Sequence, residues 1–346
     1  MEIENATPYR IEALPMMGPE EKPILAVVVK GTFQIRENQT VSAADDQMPV
    51  VYGDELYDPD NGGSVKFESD LAPFKPKADI VLTGRAHAPR NIPVQSLLVT
   101  LRVGHMKKSL KIFGDRQWKC RSRWLPCFIS SPEPFTSMDL VYERAFGGLD
   151  TVGGGYCEKN LVGCGFVGKK TKKALDGVKL ANIEDPDQLI RSWKDRPGPA
   201  GFGFYGKSWV PRMQFMGTYD DNWRKNQSPR PPVDFRADYC NAAHPDLQLR
   251  DYLVGNEEVE LVNLNVEGYL RFTLPGVTIR CDATKSFDLV VFPEPAVPDL
   301  GALPKRPLFQ ETVPMNCDTL CLIPDEKRFY MVWRGVCPVS DLTALE

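Results

Sequence analysis

Gly163-Cys164-Gly165-Phe166-Val167-Gly168 has the letters of a dinucleotide-binding fingerprint, and Asp185 stands about 20 residues on, where a ribose-binding acid would sit. That chemistry needs a strand before the glycines and an amphipathic helix after them. Only Asn160-Leu161-Val162 precedes the phrase and a lysine-rich stretch follows it, so it reads as a glycine loop. Cys317 and Cys321 share one side of a strand, but no second pair or neighbouring histidine completes a tetrahedral metal set, which favours structural thiols. His87, His105 and His244 are isolated in sequence, with His105 at a hairpin turn after Gly104. Nucleophilic catalysis would need an activated Ser or Cys with a base and an orienting acid. There is neither a Gly-x-Ser-x-Gly elbow nor a thiol-protease signature. Asp45-Asp46 and Asp220-Asp221 are ordinary surface pairs, although the two acids of a glycosidase require no motif. No catalytic, cofactor-binding or metal-binding residue is assigned.

The richest chemistry runs from Gly114 to Trp223, in the phrases Gly114-Asp115-Arg116-Gln117-Trp118, Pro132-Glu133-Pro134-Phe135, Tyr142-Glu143-Arg144-Ala145-Phe146-Gly147-Gly148, Pro197-Gly198-Pro199-Ala200-Gly201-Phe202-Gly203, Trp209-Val210-Pro211-Arg212 and Gly217-Thr218-Tyr219-Asp220. Gly and Pro specify backbone shapes, while Arg stacks on rings and pairs with carboxylates, so the phrases describe loops that hold one shape. Asp115-Arg116, Glu143-Arg144 and Arg212 near Trp209 and Phe215 suit internal braces, because an unpaired buried Arg is costly. Lys169, Lys170, Lys172 and Lys173 form a basic run that reads as a solvated loop.

The elements that must carry these loops are mainly strands. The fold class expected is mainly β, with antiparallel, sandwich-like sheets, long ordered Gly/Pro/aromatic loops and few short helices. Ile24 to Ile35 is a strong strand; Leu97, Val99, Leu101 and Val103 share one face and pair with the Leu110–Ile112 stretch; Ala78 to Ala86 is another candidate. Glu258 to Leu264, Tyr269 to Leu274, Val277 to Cys281 and Phe287 to Phe292 are short strands, and Pro324-Asp325-Glu326-Lys327 turns a terminal hairpin. Pro245 to Leu253 is the best helix and Asp187 to Trp193 a second, and Pro293 to Pro314 is an extended crossing segment. Nine scattered cysteines in a chain of 346 residues point to reduced thiols. A net charge of -4 lacks the footprint of a phosphate-backbone binder, so nucleic acid is excluded as a partner. The acidic N-terminus is unlike a secretory signal and the longest aliphatic run, Ile24 to Val29, is far too short to span a bilayer, so a cytoplasmic protein without a membrane partner is expected.

The loop phrases, together with Asn5-Ala6-Thr7-Pro8-Tyr9, Val29-Lys30-Gly31-Thr32-Phe33, Ser69-Asp70-Leu71-Ala72-Pro73-Phe74-Lys75-Pro76, Ala78-Asp79, Gly255-Asn256-Glu257, Leu274-Pro275-Gly276 and Trp333-Arg334-Gly335, resemble the bacterial domain-of-unknown-function family 2169. Two departures lie in loops: Glu37-Asn38-Gln39 stands where a Gly turn is frequent, and Asn160-Leu161-Val162-Gly163 where Asn-Pro-x-Gly is usual. The resemblance covers nearly the whole chain and implies one family domain over 1–346, which the residue pattern divides into a β-rich part at 1–146, a loop-rich segment with short helices at 147–256 and a second β-rich part at 257–346. It implies a non-enzymatic accessory protein of type VI secretion. Such an adaptor or chaperone acts in the cytoplasm, binds a secreted toxic effector and brings it to the VgrG spike, with the PAAR tip as a further candidate partner. Partner-binding candidates are Trp118, Arg144, Phe146, Trp209, Arg212, Tyr219 and Trp223, because aromatics and Arg anchor interface hot spots. No cofactor is implied. The competing classes are a carbohydrate- or cell-wall-acting hydrolase with an aromatic-lined cleft, and a toxin-binding immunity protein.

Overall fold

The computed structural model describes residues 2–18, 22–37, 39–121, 125–168, 175–283, 288–294 and 311–338. The apolar run from Ile24 becomes the strand Pro23–Ile35, buried along almost its entire length. It is covered on both faces, which is why its sequence is nearly continuous in apolar residues instead of alternating throughout. Arg328–Pro338 pairs beside it in antiparallel register from Gln34↔Arg328 to Ile24↔Pro338. These two strands centre a large sheet with the order Gln248–Leu249, Ala78–Leu82, Asn316–Ile323, Arg328–Pro338, Pro23–Ile35 and Arg10–Met17, and Val41–Ala43 also pairs with Pro23–Ile35. Only Ala78–Leu82 and Asn316–Ile323 run parallel in it. The terminal hairpin forms as expected, with Lys327 in the left-handed region at its turn.

A five-stranded antiparallel sheet has the order Ile183–Glu184, Met106–Phe113, Ser96–Val103, Glu258–Val262 and Tyr269–Thr273. Alternation along Ser96–Val103 buries Leu97, Val99, Leu101 and Val103 and leaves Leu98 and Arg102 outside. Its hairpin turns at Gly104, whose φ of 55° strains any residue with a Cβ. A third sheet joins Ile3–Asn5, Leu289–Glu294, Thr278–Ala283 and Glu311–Val313. The protein is therefore mostly β. One α-helix lies wholly within the described residues, Asp221–Asn226, capped by the Asp220 carboxylate accepting from the Trp223 N–H. None of the described helices is long and apolar enough to cross a membrane.

Three expectations fail for local reasons. Pro245 to Leu253 is not a helix: Pro245–Leu247 makes one 3-10 turn, and Gln248–Leu249 then pairs with Asp79 and Ala78. Asp187 to Trp193 is not helical either, because side chains take the amides a helix would use. Glu184 accepts from the Ile190 N–H, and Asp195 accepts from those of Arg191 and Ser192. Not all thiols are reduced, since Cys120 and Cys127 form a disulfide. Lys119 lies opposite Phe128 in a short ribbon, so the next pair outward is Cys120 with Cys127, and scattered spacing hid this cross-strand match. The other seven cysteines are free. The lysine run at 169–173, and residues 295–310 of the proposed crossing segment, lie outside the described residues.

The main core draws on all parts of the chain, from Tyr9 and Val29 through Phe202 and Trp209 to Trp333. Buried ion pairs tie its layers together. The Lys30 ammonium lies 2.8 Å from the Asp70 carboxylate and over the Tyr330 ring, Lys75 pairs with Asp79 at 2.8 Å, and Arg334 pairs with Asp318 at 2.7 Å. Each charge has lost water, so each depends on its partner.

Candidate functional site

Several of the Gly/Arg/aromatic phrases meet at one cleft of about 680 Å³. Gly114 begins one wall. A Cβ there would stand 1.7 Å from the Glu133 carbonyl oxygen, so only glycine lets the 114–118 and 132–135 segments touch. The Glu133 N–H then donates to the Asp115 carbonyl at 3.0 Å. Opposite, the 142–148 phrase crosses below the sheet edge, where the Asn182 N–H donates to the Arg144 carbonyl at 2.8 Å. Asn182 also donates from Nδ2 to Asp115 at 2.9 Å and to the Phe113 carbonyl at 3.1 Å, which joins both walls.

The charges of the cleft fall into two classes. Some are committed: Glu143 accepts from the Ser64 N–H at 2.6 Å and the Ser64 hydroxyl at 2.7 Å, and Asp139 accepts from Arg85 at 2.6 Å. Arg116 is buried, stacks 3.7 Å from the centre of the Phe113 ring and pairs with Glu184. Burial pushes the Glu184 carboxyl up and the Arg116 guanidinium down, with each charge opposing the shift of the other. Others face the cleft: Arg144 bonds to Asn182 at 3.3 Å and lies 3.8 Å from Asp115, while Lys179 and Glu133 are exposed and make no ion pair among the described residues. The cleft therefore offers donors and acceptors of both signs. Among its described lining residues there is no aromatic ring. Burial pushes the Cys164 thiol at its base up to about 11, so it is not poised as a nucleophile. Among the described residues no group of three or more His, Cys, Asp or Glu side chains could hold a metal ion.

The glycine phrase at 163–168 serves this architecture. Cys164–Gly165 pairs in parallel with Phe146–Gly147, and a Cβ on Gly163 would meet the Ala145 carbonyl at 2.7 Å. The glycines let three chain segments pack backbone to backbone.

The seven residues chosen from sequence do not form one surface. Trp118 and Phe146 are buried in a second apolar cluster with Val167, Leu180 and Ile190. Trp209 is buried edge-on against Tyr142 and Tyr205. Arg212 is buried, with its guanidinium donating to both Glu68 oxygens and to the carbonyls of Tyr205 and Tyr239. These four shape loops from inside and are out of reach of a partner, which is the brace arrangement. Arg144 sits in the cleft. Tyr219 is 47% exposed and packs edge-on against the half-buried Trp223, with ring centres 4.6 Å apart.

Sequence reading missed Lys179 and Asn182, which reach the cleft from a remote segment, and it missed an apolar loop. Leu149, Val152 and Tyr156 are 64%, 74% and 55% exposed. The loop is nonetheless firmly built: the Asp150 carboxylate accepts from the N–H groups of Val152, Gly153 and Gly168, and Leu149 pairs across to Tyr156. The signal available was three apolar side chains around Gly153-Gly154-Gly155.

Residues 20–334 match the family model described as an uncharacterized protein conserved in bacteria (DUF2169). No curated protein and no solved structure matches the chain.

Proposed function

The chain belongs to the DUF2169 family, and on that premise we propose that it is a non-enzymatic adaptor. It binds a secreted toxic effector of a type VI secretion system in the cytoplasm and helps to load it onto the VgrG spike. The observation that carries this reading is the 148–157 loop, which holds Leu149, Val152 and Tyr156 in water on a backbone pinned by Asp150. Exposed apolar side chains are expensive to leave in water, and a loop ordered beforehand loses little conformational entropy when it grips a partner. The Tyr219–Trp223 pair adds a second aromatic anchor.

One observation favours a hydrolase as the second reading: Asp115, Glu133, Asp139 and Glu143 all line the 680 Å³ cleft. Two of these acids are already tied to Arg85 and Ser64, and the other two are exposed. A general acid is instead kept protonated by a dry setting, and sugar-binding walls are aromatic. Interface chemistry accounts for the cleft better than acid–base chemistry.

The test is co-expression of the tagged chain with a VgrG protein and the toxin encoded beside it. An adaptor recovers both, an immunity protein recovers only the toxin, and a hydrolase recovers neither. Recovery of neither protein overturns the proposal.

A further inference from the structure

The longest open strand edge among the described residues is Arg10–Met17, at the end of the large sheet. A groove of about 460 Å³ follows it, lined by the consecutive residues Tyr9, Arg10, Ile11 and Glu12 and flanked by Ile3 and Tyr52. Successive side chains of a strand point to opposite faces, so four consecutive residues line one groove only where it runs along the backbone edge. The outward N–H and C=O groups of such an edge are complementary to another extended backbone. Pro8 and Pro15 carry no N–H and bracket the stretch that can pair.

The side chains specify what that backbone carries. Ile11 and Ala13 pack toward the core, so Arg10 and Glu12 lie on the other face. Arg10 is exposed and makes no ion pair among the described residues, and the half-buried Glu12 lies near the Tyr52 hydroxyl, whose proton its carboxylate helps to hold. A strand added in antiparallel fashion must set an acid opposite Arg10, an apolar residue opposite Ile11 and a base opposite Glu12. In the direction of the incoming chain this is base, apolar, acid, which is Arg10-Ile11-Glu12 itself. The edge is its own complement. We propose that two copies of this chain join edge to edge about a two-fold axis at Ile11, continuing the large sheet across the dimer. Arg10 of each copy faces Glu12 of the other, Ile11 meets Ile11, and Tyr9 lies opposite Ala13. The contact is isologous and closes on itself, so it yields a dimer and no filament.

The inference is independent of the effector-loading reading, because its test needs only the purified chain. Sedimentation velocity on wild type is expected to show a dimer at about 100 µM. Arg10→Glu and Glu12→Arg each create two like-charge pairs across the axis and are expected to weaken the dimer at least about tenfold. The double swap R10E/E12R restores it, and mixing the two single variants produces a heterodimer, since each supplies the charges that the other lacks. Circular dichroism spectra and melting curves matching wild type show that the variants fold. A monomeric wild type, which would leave the edge to an extended segment of a different protein, overturns the proposal. So does a dimer indifferent to either reversal, or a double swap that stays dissociated.

Discussion

Arg212→Ala tests whether the loop arginines brace the structure. In the native chain the guanidinium donates to both oxygens of the buried Glu68 and to the carbonyls of Tyr205 and Tyr239, and it packs by the Tyr239 ring. Removing it leaves Glu68 buried, with Lys207 at 3.7 Å as its remaining cation. Deleting one member of a buried pair costs about 3–5 kcal/mol. An unfolding entropy of about 2.1 cal/mol/K per residue gives about 0.7 kcal/mol/K for this chain, so Tm falls by about 4–7 °C. Differential scanning calorimetry at neutral pH reads the shift directly. The double variant Arg212→Met with Glu68→Leu removes both charges and recovers more than half of the loss. A change below about 1 °C for Arg212→Ala refutes the brace argument, because it means that Arg212 holds nothing in the free chain.

Gly114→Ala is expected to yield little soluble protein, or a Tm lowered by more than about 5 °C, because the added methyl would overlap the Glu133 carbonyl. In acid, His244 matters: burial, and then Lys108, push its imidazole below the usual 6.5. The unfolded chain therefore takes up a proton there that the folded chain refuses. Stability falls as pH drops below about 6.5, and His244→Gln flattens that limb of a Tm-against-pH curve. At the alkaline end, burial pushes Cys281 and Cys321 up to about 12, from an ordinary 9.0. Their contribution to stability is complete below 9 and is lost as pH rises towards 12, and a thiol reagent at pH 8 should label them only after denaturation. Unfolded chain should then yield seven reactive thiols without reductant and nine with it. Faster labelling of Cys321 in native protein would contradict its burial. Finally, Tyr219→Ala with Trp223→Ala should shift Tm by less than about 2 °C while weakening effector capture at least about tenfold, since the exposed Tyr219 and the half-buried Trp223 lie outside both apolar cores. Unchanged capture would remove this pair from the interface.

The strands were legible because their burial is periodic. Leu97 to Val103 alternates in sequence and in the sheet alike, and the Pro324–Lys327 turn announces the last hairpin. The helices were not. Glu184 and Asp195 capture the amides that an Asp187–Trp193 helix would need, and a local apolar pattern carries no information about such competition. The cleft was half visible. Asp115, Glu133 and Arg144 stand in conspicuous phrases, but Lys179 and Asn182 arrive from a segment distant in sequence, brought to them by the sheet pairing at Ile183–Glu184 and by bonds to Arg116, Arg144 and Asp115. Residue type also could not tell brace from contact. Trp118, Trp209 and Arg212 have the chemistry of interface anchors, and the same large, bidentate or stacking side chains are what fill a loop from within.

The central claim is that rigid loops on a β frame hold two other proteins together without bond-making chemistry. Reconstitution from purified parts tests it: the effector and VgrG are mixed with and without this chain, and their complex is quantified by size-exclusion chromatography with light scattering. The account predicts a stable effector–VgrG complex only when the chain is present, lost with Tyr219→Ala/Trp223→Ala. Equal complex without the chain, or hydrolysis of a cell-wall glycan by the chain alone, would contradict it.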